Sequence, residues 1–498
     1  MFPIFVTLSI ALLARNVITG LAAGLYVGVL MVSSANPLAA AGLMVTDHLV
    51  PQLMDSYNAA VLVLLVFIGG FVALMEKSGG GAAFAFDVTR WLTNRLRLQL
   101  AAWCGGIMIF FSDLGTPLII GPIFRTLTDR LGSSRQKLAY IIDSTAAPVA
   151  ILIPFIGWGV YIMSLLQQQF EALNIAASDF EAFIAAIPFQ FYAWLAVIMV
   201  PLLALLKLDY AAMAQVERDA LGSRAAGPHK ESAAADDIAN DSAHAYFIWL
   251  PLLVLAGILC WMLVPKGFPF GRISGGEFRA ALSVSYLGAA ITLLLLMAVT
   301  RTRSVISSLS VYLEGMSRMM QVAIMLVLAW ALSDVGAMLG TAEYIAGVAS
   351  RGVPGWLIPL MVFLFSALIS FATGSSWGTF AIMFPLAIPA ALATDAQLFV
   401  VIGAVLSGGL FGDHSSPISE TTILSATGAD CDPYSHFRTQ LPYALTNGAL
   451  AAIGFVLAGL AGAWWTLAPV LLLQLSLLYA IRLYQCSKRG TQSSLSED

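Results

Sequence analysis

Charge is what this chain has least of. Only 10% of its 498 residues are Asp, Glu, Lys or Arg, against roughly 25% in soluble globular proteins, so a water-soluble fold is excluded. Cysteine is also sparse: Cys104, Cys260, Cys431 and Cys486 lie far apart with no C-x-x-C pair, which offers neither a zinc site nor a redox pair. No long Lys/Arg patch occurs, and 24 basic against 28 acidic residues leave a net charge of −4. The chain therefore lacks the electrostatic footprint of a nucleic-acid binder. Period-two alternation is missing as well, since runs such as 61–74 are continuously apolar, and an outer-membrane barrel is excluded with it.

What remains is 59% hydrophobic, with a mean hydropathy of +0.87. At roughly 20 apolar residues per spanning helix, that content supplies about a dozen spans. The composition predicts an all-α polytopic membrane protein. The apolar start, Met1 to Leu13, with Ala39-Ala40-Ala41 beyond it, imitates a secretory leader. No basic residue precedes it and Arg15 follows, so a first spanning helix is expected instead.

Apolar runs place helices near 1–13, 17–34, 57–76, 98–124, 138–165, 187–207, 246–265, 281–300, 318–340, 354–394, 398–424, 439–461 and 463–484. Two of these are interrupted. Segment 98–124 breaks at Ser112-Asp113-Leu114-Gly115-Thr116-Pro117, and both its flanks are basic. By the positive-inside rule both flanks are cytoplasmic, so the segment is expected to enter and return as a re-entrant hairpin. Segment 354–394 breaks at Thr373-Gly374-Ser375-Ser376-Trp377-Gly378-Thr379 and has nearly uncharged flanks, which predicts a second hairpin entering from the opposite side. The expected pattern is three spans, a hairpin and two spans, repeated once with inverted orientation, then one more helix. On that topology the N-terminus is outside, the C-terminus is cytoplasmic, and 20 of the 24 basic residues are cytoplasmic. The discordant loop is 266–280, with Lys266, Arg272 and Arg279 outside. The organisation expected is a first repeat over 1–207, a polar, partly disordered cytoplasmic linker over 208–245, an inverted repeat over 246–461, and a C-terminal helix and tail over 462–498.

Polar groups at membrane depth cost several kcal/mol by most estimates, so they are rare unless they bind an ion, move a proton or pair. Unwound backbone, Ser/Thr hydroxyls and carboxylates together are the hard oxygen ligands that Na⁺ takes. In the first break the candidates are Asp113 and Thr116, although Asp also serves as a helix N-cap. In the second they are Thr373, Ser375 and Ser376, where Ser and Gly also permit close helix packing. Asp143-Ser144-Thr145-Ala146-Ala147-Pro148 and Asp413-His414-Ser415-Ser416-Pro417 occupy corresponding positions in the two repeats. They add Asp143, Ser144, Thr145, Asp413, His414, Ser415 and Ser416, and Glu420 and Thr421 complete the densest polar window. Asp143, Asp413 and Ser415 are the Na⁺ candidates, and Asp143 and His414 are the proton-coupling candidates; His414 also fits a satisfied structural histidine. Asp143 has only hydroxyl neighbours in sequence, so it is expected to be the better proton carrier, while His414 is expected to hold the adjacent Asp413 ionised. An intramembrane hydrolase is the alternative class, but H-E-x-x-H is absent and no hydrolase chemistry accounts for two opposed hairpins.

The run from Gly412 to Ser425, continuing through Arg438-Thr439-Gln440-Leu441-Pro442-Tyr443, resembles the NhaC-type Na⁺/H⁺ antiporter family. So do 370–379 and 137–148. The resemblance implies the larger ion-transporter superfamily, with a scaffold, a mobile domain carrying two hairpins, and a homodimer working by an elevator mechanism in the plasma (inner) membrane. It implies no cofactor beyond Na⁺ or H⁺ as coupling ions, and no partners beyond membrane lipid and a small ion or solute. Sodium–proton exchange is the first expectation. Where many relatives carry paired acids in the first hairpin, this chain reads Phe111-Ser112-Asp113-Leu114. The single carboxylate keeps open Na⁺- or H⁺-coupled carriage of a small carboxylate or amino acid.

Overall fold

The computed structural model describes residues 2–33, 36–81, 83, 92–225, 244–267, 275–349 and 352–494, and these contain helices but no strands. Helices of ten or more residues run as α1 (Phe2–Ala14), α2 (Val17–Ser33), α3 (Ser56–Lys77), α4 (Arg95–Met108), α5 (Gly115–Leu131), α6 (Arg135–Thr145), α7 (Gly157–Ala172) and α8 (Phe191–Leu206). They continue as α9 (Ala211–Ala225), α10 (Tyr246–Leu263), α11 (Gly275–Val299), α12 (Val305–Arg318) and α13 (Met320–Met338). The last are α14 (Ile358–Thr373), α15 (Ser376–Ala393), α16 (Leu398–His414), α17 (Glu420–Ala429), α18 (Pro433–Ala461) and α19 (Leu467–Ser494). Among the described residues, eight helices are long and apolar enough to cross a membrane, and up to ten if each bent helix pair is one span. The chain is a multi-pass membrane protein. Only 22% of the most apolar stretch of Trp464–Ser487 and 33% of that of Tyr246–Lys266 are buried by the protein, so both turn most of their surface toward lipid.

Local chemistry sets many of the helix starts. The side chains of Asp55, Asn94, Ser134, Ser375 and Asp432 each accept a backbone N–H from the first turn of α3, α4, α6, α15 and α18, which satisfies donors that hydrocarbon cannot. The helices sort into two groups by packing. In one, α1 lies on α2, α10 on α11, α2 on α13, and α3 on both α11 and α12. In the other, α4 and α5 pack on α6, α14 and α15 on α16, α5 on α17, and α8 on α18. The crossing of α5 and α17 is made between glycines: a Cβ on either Gly121 or Gly428 would collide with backbone of the facing helix.

Several expectations needed revision. Residues 35–56 fall between two expected helices, yet Pro37–Leu43, Met44–Leu49 and Val50–Met54 are helical, and Asp179–Ala186 and Thr341–Ala349 add two more short helices. These pieces carry too many polar or small residues to register as apolar runs. Within the 208–245 segment, α9 docks through Glu217, which is 5% exposed. Its carboxylate accepts the Ser134 backbone N–H at 2.6 Å and the Ser133 hydroxyl at 3.1 Å, and it pairs with Arg95. Residues 226–243 of the linker, and the last residues 495–498 of the tail, lie outside the described residues. In the discordant loop, Arg279 is buried. Its guanidinium lies 3.1 Å from Asp179 and 3.5 Å above the Tyr57 ring, and Lys266 pairs with Glu277. Two of the three cations of that loop are thus paired with acids; Arg272 lies outside the described residues.

The turn between α14 and α15 tests whether backbone conformation holds the site. Gly374 has φ +65°, and a Cβ there would lie 2.9 Å from the Ile418 carbonyl oxygen. Gly374→Ala is expected to destabilise the protein by about 1–2 kcal/mol or more, read as a lowered thermal midpoint in detergent. Gly257→Ala, which meets nothing within 4 Å, is expected to leave that midpoint unchanged or raise it.

Candidate functional site

Four interruptions in helical backbone converge on one region. They are the Ile109–Leu114 stretch between α4 and α5, the stretch 151–156 before α7, the Gly374-Ser375 turn between α14 and α15, and 415–419 between α16 and α17. A cavity of about 540 Å³ lies among them, bounded by Phe111 to Leu114, Ile156 to Trp158, Thr373 to Trp377, and Asp413, Glu420 and Thr421. Its remaining wall comes from the other helix group: Glu76 on α3, Arg318 on α12 and Arg15-Asn16 between α1 and α2.

At the first tip, Asp113 accepts the Trp158 indole N–H at 3.0 Å. Ser112 donates its hydroxyl to Glu76 at 2.8 Å and accepts the Gly115 N–H at 2.8 Å, closing the start of α5. Glu76 in turn lies 3.2 Å from Arg318, which also reaches Glu314 at 2.7 Å. At the second tip, the Trp377 ring lies 4.9 Å from that of Trp158, and the Trp377 carbonyl accepts the Tyr161 hydroxyl at 2.7 Å. Ser375 caps α15 by accepting the Gly378 N–H, while the Thr373 and Ser376 hydroxyls donate to the Ile369 and Gly409 carbonyls. Beside it, Asp413 accepts the hydroxyls of Ser419 at 2.9 Å and Thr421 at 3.2 Å. Glu420, the first residue of α17, stands exposed to the cavity.

Asp143 sits in a separate, fully buried nest. Gln440 on α18 donates to its carboxylate at 2.6 Å and Ser425 on α17 at 3.4 Å. The His436 Nε2 is 3.5 Å away and the His414 Nε2 3.7 Å. His414 also meets the Asp143 carbonyl at 3.0 Å and the Tyr192 hydroxyl at 3.2 Å, and the Gln440 amide donates to the His414 carbonyl at 3.0 Å. The expected neighbours of the two acids are therefore exchanged. The imidazoles surround Asp143, and the hydroxyls surround Asp413, because the last turn of α16 carries the His414 side chain toward α6 and the Asp413 side chain toward the cavity.

Of the residues singled out from sequence, Asp113, Thr373, Ser375, Ser376, Asp413, Glu420 and Thr421 line the cavity, and Asp143 and His414 share the buried nest. The others hold backbone. Thr116 donates to Ser112, Thr145 to Ile141, Ser415 to Phe411 and Ser416 to Phe371, each to a carbonyl; Ser144 is buried outside the cavity lining. Of the Na⁺ candidates, Asp413 lines the cavity, Asp143 lies in the nest, and Ser415 donates to the Phe411 carbonyl. Asp113 does not cap α5, whose first residues are closed by Ser112. Sequence reasoning missed Glu76, Arg318, Trp158, His436 and Gln440. His436 and Gln440 lie three and seven residues beyond Pro433, on one face of α18, where helical spacing could have marked them. Gly374 to Gly378 also fits the G-x-S-x-G pattern, yet two helices flank it and Ser376 donates to a carbonyl, so it is no nucleophile elbow.

Broken helices closing on an acid-lined cavity inside a multi-pass helical protein define a membrane transporter, not an enzyme. The sequence model of the Na⁺/H⁺ antiporter family matches residues 149–460, and the chain belongs to that family. It is 31% identical to an uncharacterized protein of Haemophilus influenzae over 475 residues, covering 92% of this chain and 90% of that one. It is 35% identical to the malate-2H⁺/Na⁺-lactate antiporter of Bacillus subtilis over 140 residues, which are 26% of this chain and 29% of that one. The fold is similar to the Alcanivorax borkumensis YdaH transporter, with a TM-score of 0.56 at 15% identity, over 84% of this chain and 90% of that chain.

The nest and the cavity predict different failures. Gln440→Leu leaves the buried Asp143 carboxylate without its shortest hydrogen bond, which should lower stability by about 1–3 kcal/mol in thermal unfolding. Asp413→Asn keeps an acceptor for one of the two hydroxyls and offers an N–H to the other, and should leave the unfolding midpoint nearly unchanged while abolishing transport in vesicles.

Proposed function

We propose that this chain is an ion-coupled secondary active transporter, exchanging Na⁺ for H⁺ by alternating access. The observation that carries the reading is the cavity itself: three carboxylates, Asp113, Asp413 and Glu420, face it from the helix breaks without a cationic partner among the described residues. Carboxylates beside broken helix ends are the arrangement that binds and releases a small cation. Asp413, with Ser419 and Thr421, is the Na⁺ candidate, and Asp143 with His414 the proton-coupling candidate.

An inverted repeat with two opposed re-entrant hairpins is supported by packing that recurs along the chain. The α1–α2 pairing returns as α10–α11, and α4 on α6 returns as α14 on α16. In this reading the group of α4 to α8 and α14 to α18 is the moving body of an elevator. The other group is its scaffold, and the cavity forms where they meet. The same reading carries a homodimer in the plasma membrane, with the N-terminus outside and the C-terminus cytoplasmic.

A second reading, coupled carriage of a small organic solute, is favoured by the size of the cavity and by Trp158 and Trp377 on its wall. Transport in proteoliposomes separates the two. A Na⁺ gradient alone should drive proton movement, lost in Asp413→Asn. Proton silence combined with Na⁺-dependent solute uptake would overturn exchange and leave the second reading standing.

A further inference from the structure

We propose that the cavity takes a small organic ammonium compound, seated between the Asp113 and Glu420 carboxylates and the Trp158–Trp377 pair; the inference rests on the transport reading and names the organic solute. Charge is the first argument. Arg318 is engaged by Glu76 and Glu314, and Asp413 is held by two hydroxyl donors. That leaves Asp113 and Glu420, which both line the cavity, with neither in an ion pair among the described residues. Arg15 is the lining guanidinium outside any ion pair among those residues. The acids outnumber it, so an anionic solute would add repulsion where a cation relieves it.

Shape and surface are the second argument. A volume of about 540 Å³ falls within the range of small-molecule sites, roughly 300–1,000 Å³, and exceeds what one dehydrated ion needs. The wall beside Asp113 is aromatic. Trp158 fixes the carboxylate with its indole N–H, and the Trp377 ring stands 4.9 Å from the Trp158 ring at 53°. Tyr161 locks that arrangement by donating to the Trp377 carbonyl. An ammonium group gains from a carboxylate and an aromatic face together, whereas a hard metal cation seeks a shell of oxygens.

The test is calorimetric titration of the full-length protein in lipid nanodiscs with L-lysine, putrescine, L-malate, L-lactate and NaCl. Lysine or putrescine should bind saturably and the two organic anions should not. Asp113→Asn should weaken that binding about tenfold or more. Trp377→Leu should weaken it about threefold to tenfold, with Trp377→Phe retaining most of it. Trp261→Phe, at a site 78% exposed and away from the cavity, should change nothing, and size-exclusion profiles show whether each variant is folded. Saturable binding of malate or lactate without either ammonium compound overturns the proposal, as does ammonium binding indifferent to both Asp113→Asn and Trp377→Leu. If Na⁺ moves protons in proteoliposomes while neither ammonium compound binds, this inference fails and the transport reading stands. If lysine or putrescine binds as described but nothing is transported, the transport reading fails and the assigned site stands.

Discussion

The structure turns on one constraint: backbone that leaves the helix inside a membrane has no water to bond with. Three of the four breaks have a serine that answers them locally. Ser112 closes the start of α5, Ser375 caps α15, Ser416 donates to the Phe371 carbonyl, and Ser370 and Ser376 both donate to the Gly409 carbonyl. Most of the hydroxyls that give the chain its apparent polar windows are thus occupied in tolerating the breaks.

The two buried acids Asp143 and Asp413 have different surroundings. Asp143 is held in a buried nest by Gln440 and Ser425 with imidazoles on two sides, while Asp413 faces the cavity across hydroxyls. His414 and Gln440 join the two: the histidine meets the Asp143 carbonyl, and the glutamine amide bonds both the Asp143 carboxylate and the His414 carbonyl. A displacement of α16 at the cavity is therefore felt in the nest through two hydrogen bonds. On the proposed function this is the physical link between what occupies the cavity and the state of the buried acid. Glu76 makes a comparable link on the other wall, since it bonds the first tip through Ser112 and the opposite helix group through Arg318.

Much of this was legible in the sequence, for identifiable reasons. Hydropathy located the long helices because lipid demands about 20 apolar residues per span, and Gly, Pro and Asp within such runs marked the breaks. The polar pieces at 37–54 and the docking of α9 were not legible, since Glu217 becomes a buried ligand for Ser134 only once α9 meets the start of α6. The partners of Asp143 and Asp413 were assigned wrongly from adjacency. Neighbours in sequence along a helix point about 100° apart, so His414 beside Asp413 in the chain faces a different helix. Trp158 and Glu76 escaped notice because an aromatic or a terminal acid in an apolar helix looks like an ordinary core or end residue. Their roles arise from contacts with residues dozens of positions away.

The central claim is that one cavity, bounded by the two tips, opens to each side of the membrane in turn. The direct measurement places a single cysteine at Ser375 in a background with Cys104, Cys260, Cys431 and Cys486 replaced. A membrane-impermeant thiol reagent is then applied to right-side-out and to inside-out vesicles. The account predicts labelling from both sides, with the balance between them shifted by Na⁺. Labelling confined to one side under every ionic condition would contradict it.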